Sequence, residues 1–211
     1  MNIVALVGSY RKGGVVDRVV DEILAAAEEA GAATEKIYLV DRDIAFCTNC
    51  RSCTQEEGPR RGRCIHDDEM GALLDRAERA DGLVLASPVN AGTATAVMKR
   101  FVERLVCLAY WPWGAPAPKR RTPSRPRGAV VGAASAAPAL VARLSGRLVK
   151  LLKDAAGLLG ARTAGVVFVG LAAGEPAPPL PARVRRKARR LGRALAAHRA
   201  GPSREADAGR A

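Results

Sequence analysis

The sequence contains few aromatic residues and very little histidine. Phe, Trp and Tyr make up 4% of its 211 residues, and there are 2 histidines, His66 and His198. Metallohydrolases and serine hydrolases need histidine in a defined order. The chain has no H-E-x-x-H helix, no Ser-His-Asp order and no nucleophile elbow. Hydrolytic chemistry therefore has no support in the sequence.

Long apolar runs are also absent. No stretch of about 18 apolar residues suggests a membrane span. The chain opens on a strand-like run without a basic segment, so we do not expect a signal peptide. Five cysteines, four of them clustered, do not fit a secreted disulfide framework. We expect one domain in a reducing cytoplasm.

Acidic residues are scarce in the second half of the chain. Residues 1–110 hold 14 Lys and Arg against 17 Asp and Glu, a net charge of −3. Residues 111–211 hold 20 against 4, a net charge of +16. This is not the distribution of a uniformly basic nucleic-acid binder, and we do not expect a nucleic-acid partner.

The first thirty residues combine a strand, a glycine-rich turn and a helix. Residues 2–7 form an apolar run typical of a strand buried on both faces, and apolar residues recur at helical spacing from Val15 onward. A helix N-terminus presents unpaired amides that attract anions, above all phosphate. In the turn between them, Ser9 adds a hydroxyl, Arg11 and Lys12 add charge, and Gly13 and Gly14 let the backbone approach a ligand closely.

Strands and helices alternate along the rest of the chain. We predict strands over 34–40, 82–86, 129–134 and 164–171, and helices over 67–80, 97–106 and 140–159. This alternation predicts an α/β fold, a doubly wound five-stranded parallel sheet with helices on both faces. Such sheets bind ligands at the carboxyl ends of their strands. The loops 8–14, 87–93 and 133–137 should therefore converge on one site.

Further segments complete the predicted organisation of a domain over residues 1–175. Residues 41–66 form a cysteine-rich loop, and residues 110–127 form a loop rich in Trp, Pro and basic residues. Residues 176–200 carry a basic segment with an apolar stripe, which predicts a last helix packed on the domain. Residues 201–211 are expected to form a disordered tail.

Four cysteines share one loop, and their spacing suggests a common role. They are Cys47, Cys50, Cys53 and Cys64. Three cysteines at intervals of three with a fourth further on can direct their thiolates to one iron–sulfur cluster. Four thiolates also suffice for a structural zinc, and free thiols are the third alternative. The sequence leaves all three open, and it predicts a core position for Cys107.

Several motifs together resemble those of the NADPH-dependent FMN reductase and iron–sulfur flavoprotein family. Residues 8–14, Gly-Ser-Tyr-Arg-Lys-Gly-Gly, resemble the Gly-Ser-Pro-Arg-Lys-Gly-Gly opening of that family. The cysteine loop followed by Asp67-Asp68-x-Met70, the Ala-Asp-Gly and Ser-Pro-Val motifs within residues 80–89, and Lys-Arg-Phe-x-Glu-Arg at 99–104 resemble its later motifs. The resemblance covers residues 1–106.

This resemblance implies a flavodoxin-like fold that binds FMN. The phosphate would lie in the first loop and the isoalloxazine ring along residues 87–93. The cofactor-binding residues implied in this way are Ser9, Arg11, Lys12, Gly13, Gly14, Val15, Ser87, Pro88, Val89, Asn90, Gly92 and Thr93. No side chain is implied as a catalytic acid or base, because the cofactor supplies the electron chemistry.

The chain departs from the family pattern at three places. Val15 and Val16 replace an Asn-Thr pair that would add polar phosphate ligands. Asn90 and Ala91 stand where an aromatic residue is common, and the gap before Cys64 is longer than in the family's cysteine motif. Either Trp111 or Trp113 supplies the missing ring-stacking partner, within the chain or across a dimer, or both residues anchor their own loop.

The resemblance implies that NADPH or NADH reduces FMN, which in turn reduces a small acceptor such as a quinone or a free flavin. A [4Fe-4S] cluster on the four cysteines would act as an electron relay. The alternative is a non-enzymatic, flavodoxin-like electron carrier that docks an acidic redox protein on its basic half. A homodimer is expected from the resemblance alone.

Overall fold

A central sheet of five parallel strands organises the molecule, for which the computed structural model describes residues 1–121, 127–174 and 178–197. The strands are β1 (Asn2–Val7), β2 (Ala33–Tyr38), β3 (Gly82–Pro88), β4 (Ala109–Tyr110), β5 (Lys119–Arg120), β6 (Gly128–Ala134) and β7 (Arg162–Val169). The sheet order is β2-β1-β3-β6-β7, and β4 pairs antiparallel with β5 outside it. With that pair set aside, this is the flavodoxin-like order, whose switch point lies between β1 and β3.

Helices cover both faces of the sheet, which confirms the predicted fold class. They are α1 (Val15–Glu28), α2 (Met70–Arg79), α3 (Ala96–Arg104), α4 (Ala139–Ser145), α5 (Leu148–Leu158) and α6 (Ala182–Ala197). One apolar core joins the sheet to α2, α3 and α5, and the other joins it to α1 and α6. Strands β1, β3 and β6 are buried on both sides, because they consist of near-continuous small and β-branched apolar residues.

The C-terminal helix α6 packs closely on α1. Ala188, Leu191 and Leu195 are buried, and a Cβ at Gly192 would lie 2.1 Å from the carbonyl oxygen of Ile23. Arg189 pairs with Glu22 and Glu29 on α1. The predicted tail 201–211 lies outside the described residues.

Several predicted boundaries are wrong. The predicted helix 140–159 is two helices, because the chain becomes extended at Gly146 (φ −91°, ψ 146°) and the amide of Arg147 donates to the carbonyl of Gly92. The segment 110–127, predicted as loop, contributes to the β4–β5 pair. Strand β7 begins two residues before the predicted 164 and ends at Val169.

Candidate functional site

The glycine-rich turn lies at the carboxyl end of β1 and leads directly into α1. Ser9 is buried, and its hydroxyl accepts a hydrogen bond from the amide of Arg11 at 3.1 Å. Helix α1 starts after Gly14 without any side-chain cap, whereas α3 is capped by Thr95, whose hydroxyl accepts from the amide of Met98. The first-turn amides of α1 therefore have no acceptor within the helix or from a cap, which is the arrangement that binds phosphate.

Asp17 fixes the shape of this turn, a role that the sequence analysis missed. Its carboxylate, 4% exposed, accepts from the amide of Gly13 at 2.5 Å, from Lys36 Nζ at 2.9 Å and from the hydroxyl of Tyr38 at 2.9 Å. Burial alone would raise the pKa of Asp17, but the hydrogen bonds from Gly13, Lys36 and Tyr38 together lower it. Asp17 therefore ties the glycine turn to β2 as a charged group.

Three loops meet around a cavity of about 200 Å³ at the carboxyl edge of the sheet. This is the convergence that the alternation of strands and helices predicted. Its lining combines the glycine turn with the end of β3 and with small residues that follow β6 and β7: Ser9, Arg11, Gly14, Val15, Val16, Pro88, Val89, Ala134, Ser135, Ala136, Ala172 and Ala173. Ser135 belongs to the predicted loop 133–137, whereas the sequence analysis did not single out Ala172 or Ala173.

The predicted cofactor-binding residues divide into two groups. Those that line the cavity are Ser9, Arg11, Gly14, Val15, Pro88 and Val89. Lys12 instead pairs with Asp41 at 2.7 Å, and Gly13 donates its amide to Asp17. Ser87 is fully buried, where its hydroxyl accepts from the amide of Thr95. Asn90, Gly92 and Thr93 form the turn after β3, closed by the backbone bonds between Asn90 and Thr93.

The four clustered cysteines line one small cavity, together with Cys107, His66 and Arg104. Cys53 is buried, Cys47 and Cys64 are half-buried and Cys50 is exposed. Burial raises the pKa of the Cys53 thiol, and the neighbouring Cys64, Cys47 and Cys50 raise it further. Burial raises the pKa of Cys107 to about 12. Cys107 has the predicted core position, but it also faces the other thiols.

Asp68 and Arg104 anchor the start of the cysteine loop. Arg104 Nη1 lies 2.6 Å from Asp68 Oδ2, and the two side chains are 3% and 5% exposed. Asp68 also accepts from the amides of Ala45 and Met70, while Arg104 donates to the carbonyl of Ala45 at 2.8 Å. This buried pair therefore joins the loop to the start of α2 and the end of α3.

A second cavity, of about 720 Å³, adjoins the cysteine pocket rather than the carboxyl edge of the sheet. Several of its charged side chains are paired with one another: Arg61 contacts Asp75 and Glu78, and Arg104 contacts Asp68. His66 lies between the two cavities. We place the candidate cofactor site in the cavity of about 200 Å³ at the carboxyl edge of the sheet, where the uncapped start of α1 lies beside Ser9 and Arg11.

No three His, Cys, Asp or Glu side chains within the described ranges are grouped as ligands of a single metal ion.

Comparison with known proteins places these features in one family. The sequence profile of the family described as NADPH-dependent FMN reductase matches residues 1–175. An iron–sulfur flavoprotein from Archaeoglobus fulgidus is 33% identical over 112 residues, which are 53% of this chain and 49% of that protein. This chain spans about half the length of the curated relatives it matches.

Solved structures with low sequence identity share the fold. An FMN-dependent NADH-azoreductase from Bacillus anthracis, determined in complex with FMN, has a TM-score of 0.65 and 16% identity, with 93% of this chain and 98% of that chain covered. A flavodoxin from the domain Archaea has a TM-score of 0.55 and 10% identity, with 93% and 97% covered. In the part of our chain that the structure describes, no helix is long and apolar enough to cross a bilayer.

Proposed function

Because the chain belongs to the NADPH-dependent FMN reductase family, we propose that it is an FMN-dependent oxidoreductase. A hydride from NADPH or NADH would reduce the flavin, and the electrons would pass to a small acceptor such as a quinone or a free flavin. The observation that carries this proposal is the cavity in which the uncapped start of α1, Ser9 and Arg11 face the ends of β3 and β6.

The residues around this cavity suit the two ends of FMN. The first-turn amides of α1 and the side chain of Arg11 would bind the phosphate. Pro88, Val89 and the small residues after β6 would lie along the ring. Bound FMN would supply the hydride and electron chemistry. The protein would hold the ring and, through the backbone of residues 88–93, limit access to it.

The departures at Val15 and Val16 have a structural basis. Both side chains are apolar and packed into the core between α1 and the sheet, so they offer no hydrogen bond to a phosphate. We propose that the amides of the same residues take over the role of the missing polar side chains. Phosphate recognition would then depend more on backbone and Arg11 than on hydroxyl groups.

Replacing Arg11 tests this site. We expect Arg11→Gln to weaken FMN binding about tenfold, the scale of one lost charge-assisted contact, in a fluorescence-quenching titration. Lys12→Gln is the matched control and should change affinity less than twofold, because Lys12 points to Asp41. Riboflavin, which lacks the phosphate, should bind both variants equally. Equal FMN affinity in the two variants would contradict the proposed phosphate site.

We further propose that Cys47, Cys50, Cys53 and Cys64 bind a [4Fe-4S] cluster. The shared cavity of these thiols and the name of the Archaeoglobus relative support this assignment. A cluster there would exchange single electrons with the flavin. Iron and acid-labile sulfide should be stoichiometric in protein purified anaerobically, and the absence of both would contradict the proposal.

A non-enzymatic electron carrier is the second candidate, and the surface of α6 favours it. Arg183, Arg186, Lys187 and Arg190 are exposed along one side of this helix, whereas Arg185 and Arg189 pair with Glu22 on α1. Such a stripe suits an acidic redox partner. Steady oxidation of NADPH by the purified protein alone would exclude this candidate; reduction only in the presence of a partner would favour it.

We also propose a homodimer formed through the carboxyl edge of the sheet. Tyr10 and Leu171, which follow β1 and β7, are 50% and 67% exposed. The dimer itself is an expectation from the family resemblance, and we place its interface at the edge where these two side chains are exposed. Light scattering during gel filtration should give twice the chain mass for the native protein. A Tyr10→Ser/Leu171→Ser variant should give a lower mass.

A further inference from the structure

The side chain of Arg51 is held between two indole rings. Its guanidinium carbon lies 4.1 Å from the ring centroid of Trp111 and 4.1 Å from that of Trp113. Both distances are within the range of a cation–π contact. Nη2 also donates to the carbonyls of Trp111 at 2.6 Å and Pro112 at 3.3 Å. The guanidinium therefore lies over both rings and also donates hydrogen bonds to two backbone carbonyls.

The backbone of Arg51 organises the segment that carries two of the cysteines. Arg51 has a left-handed conformation (φ 60°), as does Asn49 (φ 54°), so that Cys50 lies between two residues with positive φ. The carbonyl of Arg51 accepts from the amide of Thr54 at 2.9 Å and from its hydroxyl at 2.8 Å. These bonds close the short helical turn Ser52–Thr54, which contains Cys53. A left-handed arginine is unfavourable in isolation, so neighbouring contacts must hold it.

Further hydrogen bonds join the turn that contains Cys53 to the segment that carries Trp111 and Trp113. The amide of Trp111 donates to the carbonyl of Thr54 at 2.9 Å, and the amide of Trp113 donates to Gln55 Oε1 at 3.0 Å. Trp111 Nε1 donates to the carbonyl of Ala115, which fixes its ring. Trp113 is 67% exposed, so burial in the core does not account for its position, whereas the contact with Arg51 does.

We propose that Arg51 is a positioning residue: clamped between Trp111 and Trp113, it fixes the backbone on which Cys50 and Cys53 stand. The clamp is independent of any metal, because it consists of contacts within the chain. Its consequence for cluster uptake rests on the proposed [4Fe-4S] site. Lysine cannot replace arginine in this role, since an ammonium group is not planar and cannot stack on two rings while donating sideways.

Amide hydrogen exchange of the metal-free protein tests the clamp directly. In Arg51→Lys and Trp113→Ala we expect the amides of Thr54 and Trp111, which donate to the carbonyls of Arg51 and Thr54, to exchange about tenfold faster, the factor expected when a contact of cation–π strength is lost. Arg60→Lys, an exposed arginine of the same loop, is the matched control and should match the native protein. The double variant Arg51→Lys/Trp113→Ala should exchange no faster than Arg51→Lys alone, because Arg51→Lys already removes the contact with Trp113.

A second readout connects the clamp to the cysteines. After anaerobic reconstitution, Arg51→Lys should retain less than half of the iron and sulfide bound by the native protein, while Arg60→Lys retains all of it. Native exchange rates in Arg51→Lys would overturn the proposal, as would faster exchange with full cluster uptake. If the native protein itself takes up no iron or sulfide, the cluster assignment fails, and the exchange rates still decide whether Arg51 holds the loop.

Discussion

Replacing Arg104 by methionine should destabilise the protein strongly, because it leaves Asp68 buried without its counter-ion. The two side chains are 3% and 5% exposed, and their contact is two-pronged, with 2.6 Å between Nη1 and Oδ2 and 3.2 Å between Nη2 and Oδ1. Loss of one partner from a buried pair costs about 3–5 kcal/mol. Asp68 keeps the amides of Ala45 and Met70 as donors, so we expect the lower end, about 3 kcal/mol.

Urea unfolding at neutral pH measures this loss as a change in the free energy of unfolding. Arg76→Met is the matched control: Arg76 pairs with Glu35 at 2.7 Å, but both side chains are about 40% exposed (41% and 39%). Exposed pairs contribute only about 0–1 kcal/mol. The double variant Arg104→Met/Asp68→Asn should lose less free energy of unfolding than the two single variants lose in sum. The reason is that the second change removes the charge that the first left unpaired.

The same variant has a defined dependence on pH. Burial would raise the pKa of Asp68, but the hydrogen bonds from Arg104, Ala45 and Met70 lower it below its usual value of 3.8. Because its pKa is lowered in the folded state, the ionised carboxylate of Asp68 stabilises the fold above pH 3.8. This stabilisation is lost as the pH falls through the folded-state pKa. The deficit of Arg104→Met should therefore be largest near neutral pH and shrink below pH 3.8. A loss no larger than that of Arg76→Met, or one constant across the acid range, would refute this account.

Two further substitutions test the glycine turn and the cysteine loop. Asp17→Asn should lower the free energy of unfolding by about 1–3 kcal/mol, because hydrogen bonds to a charged acceptor are lost. The pKa of Asp17 is also lowered, so this difference from the native protein should disappear in acid, and a pH-independent difference would argue against a charged Asp17. Gly62→Ala should displace the cysteine loop, because its Cβ would lie 1.7 Å from the carbonyl oxygen of Cys53. The Cys53 thiol should then react faster with a disulfide reagent, whereas Gly71→Ala, where a Cβ meets nothing within 4 Å, should react like the native protein.

The sheet and the convergence of its loops could be predicted because they depend on local patterns. The apolar runs of β1, β3 and β6 are long enough to be strands and too continuous to be exposed on either face. The parallel order then places the turns after these strands at one edge, whatever their sequence. The cavity at that edge is therefore a consequence of topology.

Other features depend on contacts between distant residues, which a single sequence does not reveal. The break at Gly146 depends on an extended backbone there and on the bond from Arg147 to Gly92. The roles of Asp17 and Arg104 arise because α1 meets β2 and because α3 ends beside the cysteine loop. Asp17 offered one signal, an acid in the first turn of a helix that begins without a cap.

The predicted cofactor residues also divide into those placed by local sequence and those placed by contacts with distant residues. The position of Ser9 and Gly14 on the cavity follows from the turn they share. The position of the Lys12 side chain does not follow from that turn, because it forms an ion pair with Asp41, which follows β2. Adjacent cations in one motif can therefore have different roles, which the sequence motif alone does not separate.

The account depends most directly on whether this chain binds FMN. Protein purified anaerobically should be titrated with FMN, and its visible spectrum recorded after removal of free flavin. We predict one retained FMN per chain, with shifted flavin bands that overlie a broad sulfur-to-iron absorption when the cysteines carry a cluster. A protein that stays colourless after FMN addition would contradict the cofactor site, and with it the proposed oxidoreductase.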